Sequence, residues 1–159
     1  MVAHIDDDNQ WKKDHFEKLV ACFVENKELG MAFGLHRYIE QKTQTSPNTD
    51  RYFRGGTLQL LNMKYFSDCN FIASDDVLIS RKVYEKIGGM NERLCFFADW
   101  EYWLKITHSF PVAQICEILS DYTLHQESIT SKISEKDLML KYFLQAKESF
   151  KQWSEQKVS

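Results

Sequence analysis

Ala3-His4-Ile5-Asp6-Asp7-Asp8-Asn9-Gln10-Trp11 holds the longest unbroken run of carboxylates in the chain, and its reading decides what the rest must build. A brief apolar strand, residues 1–5, runs into three aspartates and then an aromatic, which sets acidic side chains at the open end of a strand. Hard cations such as Mg²⁺ and Mn²⁺ take oxygen ligands, and Mg²⁺ is commonly held by one or two carboxylates together with substrate phosphates. Asp6 and Asp8 are the candidates for that role. The competing reading gives Asp8 or Asn9 to the cap of the following helix and leaves the other acids in solvent.

Moving outward, Phe16, Leu19, Val20, Phe23 and Val24 recur at helical spacing from Asp14 onward, with Glu17, Lys18 and Glu25 opposite. This predicts a helix lying against a sheet and stopped by Gly30. Residues 31–39 alternate as a strand and return the chain to the sheet, giving β-α-β. Residues 41–56 turn polar and form the longest predicted loop, in which Arg51 and Arg54 could face a phosphate or an acceptor but more simply sit in solvent. A short helix is predicted over 58–65, and an interrupted strand or two strands over 70–73 and 77–79. Residues 81–87 read as a helix with Val83, Tyr84 and Ile87 inward, closed by Gly88 in the left-handed position that ends many helices. Residues 90–97 read as irregular.

A second acidic feature follows in Ala98-Asp99-Trp100-Glu101-Tyr102-Trp103. Trp100, Trp103, Leu104 and Thr107 share one helical face, with Asp99 at the helix start. Asp99 is either an N-cap or a general base. The helix dipole favours its ionised form and so lowers its basicity, and a partly apolar wall would be needed to offset that. Strands are predicted over 111–116 and, as an edge, over 118–124. His125 then opens a polar stretch, as an ordinary hydrogen-bonded histidine or a metal ligand. Ser134-Glu135-Lys136-Asp137 resembles a capping box for a last helix striped by Met139, Tyr142, Phe143, Ala146, Phe150 and Trp153.

With 159 residues, 43% of them hydrophobic, the chain is long enough for one domain with a real core and too apolar for disorder. Its net charge of −3, with Lys and Arg spread along the sequence, gives no basic stripe for nucleic acid. Cys22, Cys69, Cys95 and Cys116 stand far apart, which reads as buried thiols in a reducing compartment. There is no run long enough to span a membrane and no leader at Met1, so a cytoplasmic protein is expected, with association at a membrane surface left open. No glycine-rich phosphate loop and no serine-histidine-acid arrangement is present. Any nucleotide would therefore be held through a metal or through residues outside this sequence.

The order of these features resembles family 2 glycosyltransferases of the GT-A fold. I-D-D-D-N-Q-W, followed by K-D-H-F-E-K-L-V and G-M-A-F-G, is similar to that family's D-x-D strand, helix and returning strand. S-D-D-V-L-I-S-R-K-V-Y-E-K-I-G-G-M-N-E resembles its strand, arginine-bearing helix start and glycine-glycine turn. A-D-W-E-Y-W-L-K resembles its acidic helix, and D-Y-T-L-H-Q-E-S-I-T its tyrosine-and-histidine segment. Four motifs in family order cover most of the chain. Ala98 stands where the family usually has a second acid, and Thr123 where an arginine often precedes the histidine by two.

The resemblance implies an α/β, GT-A-like mixed sheet flanked by helices. It makes 1–133 the metal- and acceptor-binding part and 134–159 an amphipathic helix packed on it. The nucleotide-binding half of the family would lie before Met1. The implied reaction transfers a sugar from a nucleotide-diphosphate donor to an acceptor hydroxyl on a glycan, lipid-linked or protein acceptor, with inversion. Asp6, Asp8 and His125 would face Mn²⁺ or Mg²⁺ and the diphosphate, with Asp8 the nearer match to the metal ligand, and Asp99 would be the base. The alternative is a truncated or split glycosyltransferase-like domain that acts as an interaction module. A metal-dependent phosphohydrolase fits less well, for want of a second carboxylate cluster or an activated nucleophile.

Overall fold

The computed structural model describes residues 1–40, 58–61, 66–124 and 136–158. The architecture is mixed α/β, a curled sheet with helices on both faces. In chain order the elements are β1 (Val2–Ala3), β2 (Gln10–Trp11), α1 (His15–Glu25), β3 (Met31–Glu40), β4 (Leu58–Leu61), a 3₁₀ turn (Ser74–Asp76), β5 (Val77–Ile79), α2 (Arg81–Ile87), α3 (Ala98–Ser109), β6 (Val112–Leu124) and α4 (Lys136–Val158). The sheet has six strands in the order β1-β5-β3-β6-β2, with β4 also paired to β6. β3 and β6 run parallel at its centre, and every other pair is antiparallel.

The N-terminal strand is shorter than expected and lies at the sheet edge, yet it has a partner. Val2 and Ala3 pair with Ile79 and Leu78 of β5. Residues 112–124 form one long strand rather than two, and it is central rather than an edge. The register against β3 shifts between Phe33 and Leu35 and again before His36. These irregularities let one strand continue where the sequence suggested a break. Residues 58–61, expected in a helix, are a strand, because pairing with residues 112–115 of β6 overrides a short local preference. Residues 70–73, expected as a strand, take no regular form, and the 3₁₀ turn leads directly into β5.

Two hydrophobic cores follow from this layering. Met31, Phe33, Val77, Ile79 and Val112 from the sheet meet Val83 of α2, Trp100, Trp103, Leu104 and Ile106 of α3 and Ala146 of α4. On the other face Leu19, Cys22 and Phe23 of α1 cover Ala32, Leu78, Ala113, Ile115 and Leu119. The inward face of α1 is therefore rotated from the predicted one, and Phe16, Val20 and Val24 are exposed. The helix also ends earlier, at Glu25, and Gly30 is not its stop. Gly30 lies where β3 enters the sheet: its amide donates to the Pro111 carbonyl, and a Cβ there would stand 2.5 Å from Cβ of Phe110. Gly88 does close α2 with φ of +82°, although its ψ of −164° lies outside the left-handed helical well.

α3 is buried nearly all round, not on one face: Glu101, Tyr102, Lys105 and Ile106 are buried with Trp100, Trp103 and Leu104. That is the pattern of a helix covered by other helices as well as by a sheet. α4 supplies the cover, with Phe143 stacked on Trp100 at 4.4 Å between ring centroids. Among the cysteines, Cys22 is buried, Cys95 is exposed, and Cys69 and Cys116 are half-buried. Among the described residues, no helix is long and apolar enough to cross a membrane.

Candidate functional site

The aspartate run forms a turn between β1 and β2, and neither Asp8 nor Asn9 caps a helix. α1 begins only at His15, with Asp14 at the N-cap position and paired to Lys18 at 2.5 Å. Asn9 is instead buried in the turn and works as a bridge. Its Nδ2 donates to Oδ2 of Asp75 at 2.7 Å, and its Oδ1 accepts from the amide of Thr123 at 2.8 Å. The Thr123 hydroxyl donates to the Asp8 carbonyl at 2.5 Å. Thr123 thus ties the turn to the end of β6.

Asp75 is the second anchor of the turn. Its Oδ1 accepts from the Asp6 amide at 2.6 Å, and its carbonyl accepts from Nε1 of Trp11 at 2.7 Å. The next residue, Asp76, fastens the same segment to the sheet. Its Oδ2 meets Nδ1 of His36 at 2.6 Å and the Ala73 amide at 3.2 Å, and its Oδ1 accepts from the Ser120 hydroxyl. Asp75 and Asp76 are each almost fully buried. Neither was singled out in the sequence, where the pair reads only as two acids before a buried strand. The signal was the placement itself, because carboxylates adjacent to an apolar strand must find donors if they are buried.

The electrostatics of the turn are one-sided. The Asp6 carboxyl is raised above the ordinary carboxylate range, first by partial burial and then by the charges of Asp75, Asp8, Asp7 and Asp99. Asp99, which belongs to another element, makes the smallest of these contributions. Asp7 and Asp8 are exposed at the tip of the turn. Among the described residues, no three His, Cys, Asp or Glu side chains assemble into a ready metal cluster. The donor set still suits a hard cation of the Mg²⁺ or Mn²⁺ type, since two carboxylates with substrate phosphates completing the shell is how such ions are commonly held. The mutual repulsion felt by Asp6 is also what a cation would relieve.

Asp99 does not cap its helix. The N-cap position belongs to Phe97, which takes the left-handed conformation at φ 59° and ψ 20°. That conformation costs a non-glycine residue about 1–2 kcal/mol. Phe97 offsets it by packing on Trp100 and Phe143. Asp99 then falls in the first helical turn, where its Oδ1 accepts from the Trp100 amide at 2.7 Å and its Oδ2 from Nδ2 of Asn70 at 2.8 Å. Burial raises its pKa, and those two hydrogen bonds oppose the rise without cancelling it. Of these influences burial is the largest, and it moves the pKa upward.

His125 lies outside the described residues, as do the 41–56 loop with Arg51 and Arg54 and the 134–135 part of the proposed capping box. The structure brings Asp6 and Asp8 onto one turn and leaves Asp99 on another element, its charge the smallest of those acting on Asp6. It adds Asp75, Asn9 and Thr123 as the residues that hold that turn. Compared with protein-family models and with curated proteins, the chain finds no match in either.

Proposed function

We propose that this chain is the metal- and acceptor-binding part of a GT-A-type, family 2 glycosyltransferase, passing a sugar from a nucleotide-diphosphate donor to an acceptor hydroxyl with inversion. The observation that carries the reading is Asp99 itself, half-buried in the first turn of α3, with both carboxylate oxygens hydrogen-bonded and its pKa raised by burial. No capping role competes with this reading, and Asp6, Asp7 and Asp8 stand exposed on the turn. Asp8 and Asn9 cap no helix, and the cap of α3 is Phe97.

In this reading Asp8 and Asp6 would hold Mn²⁺ or Mg²⁺ against the donor diphosphate. The bound ion supplies neutralisation of the charge that builds on the leaving diphosphate. Asp99 takes the proton from the acceptor hydroxyl as its oxygen forms the new bond to the anomeric carbon, and the bond from that carbon to the diphosphate breaks. A carboxylate with a raised pKa is a better base than a solvated one, which is why burial of Asp99 supports the assignment. Two hydrogen-bond donors, Asn70 and the Trp100 amide, fix both of its oxygens.

The test is turnover of UDP-, GDP- and dTDP-sugars with and without Mn²⁺, together with calorimetry of the same donors. Metal-dependent turnover that falls by about 10²–10⁴-fold in Asp99→Asn, and is lost in Asp8→Ala, is the expected result. Full activity in both variants would remove the assigned roles. Tight metal-dependent donor binding by this chain alone would count against the alternative, a non-catalytic interaction module.

A further inference from the structure

We propose that Asp75 is a positioning residue for the Asp6–Asp8 turn: through its carboxylate it sets where the two aspartates stand, and so how tightly they take a divalent cation. This rests on the reading of that turn as a metal-binding site. Asp75 is 2% exposed, and its polar atoms are engaged by the turn. One carboxylate oxygen receives the backbone amide of Asp6 itself, the other receives the side chain of Asn9, and the carbonyl receives Trp11. The contacts bracket Asp7 and Asp8 on both sides. A turn of this length joined to edge strands of only two residues each has little pairing of its own to define it.

Bonds from a carboxylate to N–H donors are charge-assisted and about twice as strong as neutral ones. Asp75 therefore fixes the turn more firmly than an amide or hydroxyl at that place could. The neighbouring Asp76 makes the anchor rigid, because it is held in turn by His36 of β3 and Ser120 of β6. One path from the central sheet to the turn thus runs through this dipeptide, beside the one that Thr123 of β6 makes to Asn9 and Asp8. Groups that orient metal ligands in this way typically change metal affinity by about 10- to 100-fold when removed.

Donor and acceptor can be exchanged across the Asn9–Asp75 contact, which gives the test its control. In Asp75→Asn the new amide faces the Asn9 amide, donor to donor. In Asn9→Asp two carboxylates face each other. In the double variant Asn9→Asp with Asp75→Asn, the bond is restored with its polarity reversed and the net charge unchanged. Mn²⁺ affinity is read by electron paramagnetic resonance of the free ion on the whole chain, with circular dichroism confirming that each variant is folded. Amide hydrogen exchange at Asp6 is followed alongside.

Each single variant is expected to weaken Mn²⁺ binding by about 10- to 100-fold and to speed exchange at Asp6, and the exchanged pair to recover most of both. The inference is overturned if wild type binds Mn²⁺ and Asp8→Asn loses it while the single variants bind as wild type does, or if the exchanged pair binds no better than the weaker single variant. A single variant that fails to fold leaves the exchanged pair as the deciding measurement, since wild-type-like folding with weak binding there sinks the proposal. Failure of the underlying reading looks different: wild type binds no Mn²⁺, or binds it with the same affinity as Asp8→Asn.

Discussion

At the scale of single residues, two buried acid contacts give the molecule a pH dependence whose direction can be stated. The Asp99 pKa lies above 3.8, so the native chain holds that proton more tightly than the unfolded one. Stability linked to Asp99 is present at low pH and is lost as pH rises from 3.8 through the raised value. Asp99→Asn removes a poorly solvated charge and keeps one oxygen for the Trp100 amide, while its new amide can donate to Asn70 once that side chain turns its own oxygen inward. Thermal melts at pH 7 are expected to show the variant at least as stable as wild type, with the difference closing below pH 3.8, even as turnover is lost. A large destabilisation at pH 7 would mean that Asp99 is a structural group. His36 shifts the other way from its burial alone: burial opposes its charge, but the bond and charge of Asp76 prevail and raise it above 6.5. Its contribution is complete below 6.5 and fades as pH rises through the raised value. Asp76→Asn should return His36 below 6.5 in an NMR titration and cost about 3–5 kcal/mol at pH 6, with a smaller cost at higher pH. An unchanged His36 titration would show that the contact does not set its charge.

At the scale of elements, the most demanding polar arrangement lies inside α3. Glu101 and Lys105 pair at 2.8 Å with side chains 0% and 9% exposed, and Glu101 Oε1 also accepts from Ser149 of α4. Removing one partner of a buried pair strands the other, whereas replacing both with apolar groups is often neutral. Lys105→Met is therefore expected to cost about 3–5 kcal/mol in urea unfolding, and adding Glu101→Leu to recover much of that. Equal losses in the single and double variants would show that packing, not charge, is at stake. This element also shows how far sequence reading extends. The helix and its aromatic stripe are legible because Trp100, Trp103 and Leu104 keep the helical period. Its buried charges are not, since Glu101 and Lys105 look like an ordinary solvated pair until α4 is laid over them. In the same way the period found α1 but misjudged its inward face. Phe16 and Val20 are as apolar as Leu19 and Phe23, and only the position of the sheet separates them. Residues 58–61 needed a partner strand far along the chain, a contact that no local pattern records.

At the scale of the whole molecule, the candidate site is assembled by topology. The turn carrying Asp6 and Asp8 was legible as a run of acids, and Asp99 as an acid at a helix start. What holds the turn was not legible there, because it depends on the 3₁₀ turn before β5 delivering Asp75 to Asp6 and Asn9. Nor was the unity of the core. The split into residues 1–133 and a packed C-terminal helix suggests an appendage, yet Ala146 is 0% exposed, Phe143 stacks on Trp100, and Ser149 bonds both Asn91 and Glu101. Trp100 in turn donates from its indole to the Phe66 carbonyl and from its amide to Asp99, which precedes it. Loosening α4 would therefore disturb the helix start on which the proposed base sits. Fully burying a large apolar side chain is worth about 1.5–3 kcal/mol, and α4 covers Trp100 and buries its own Ala146, so its removal takes away a large part of the usual stability of a domain this size. Thermal or urea unfolding is accordingly expected as one transition, with tryptophan fluorescence and far-ultraviolet circular dichroism coincident. A chain ending before Lys136 should bind a hydrophobic dye and lose its near-ultraviolet signal. An early, separate loss of helix signal with fluorescence unchanged would show that α4 is an independent layer, and would free the Asp99 site from any dependence on it.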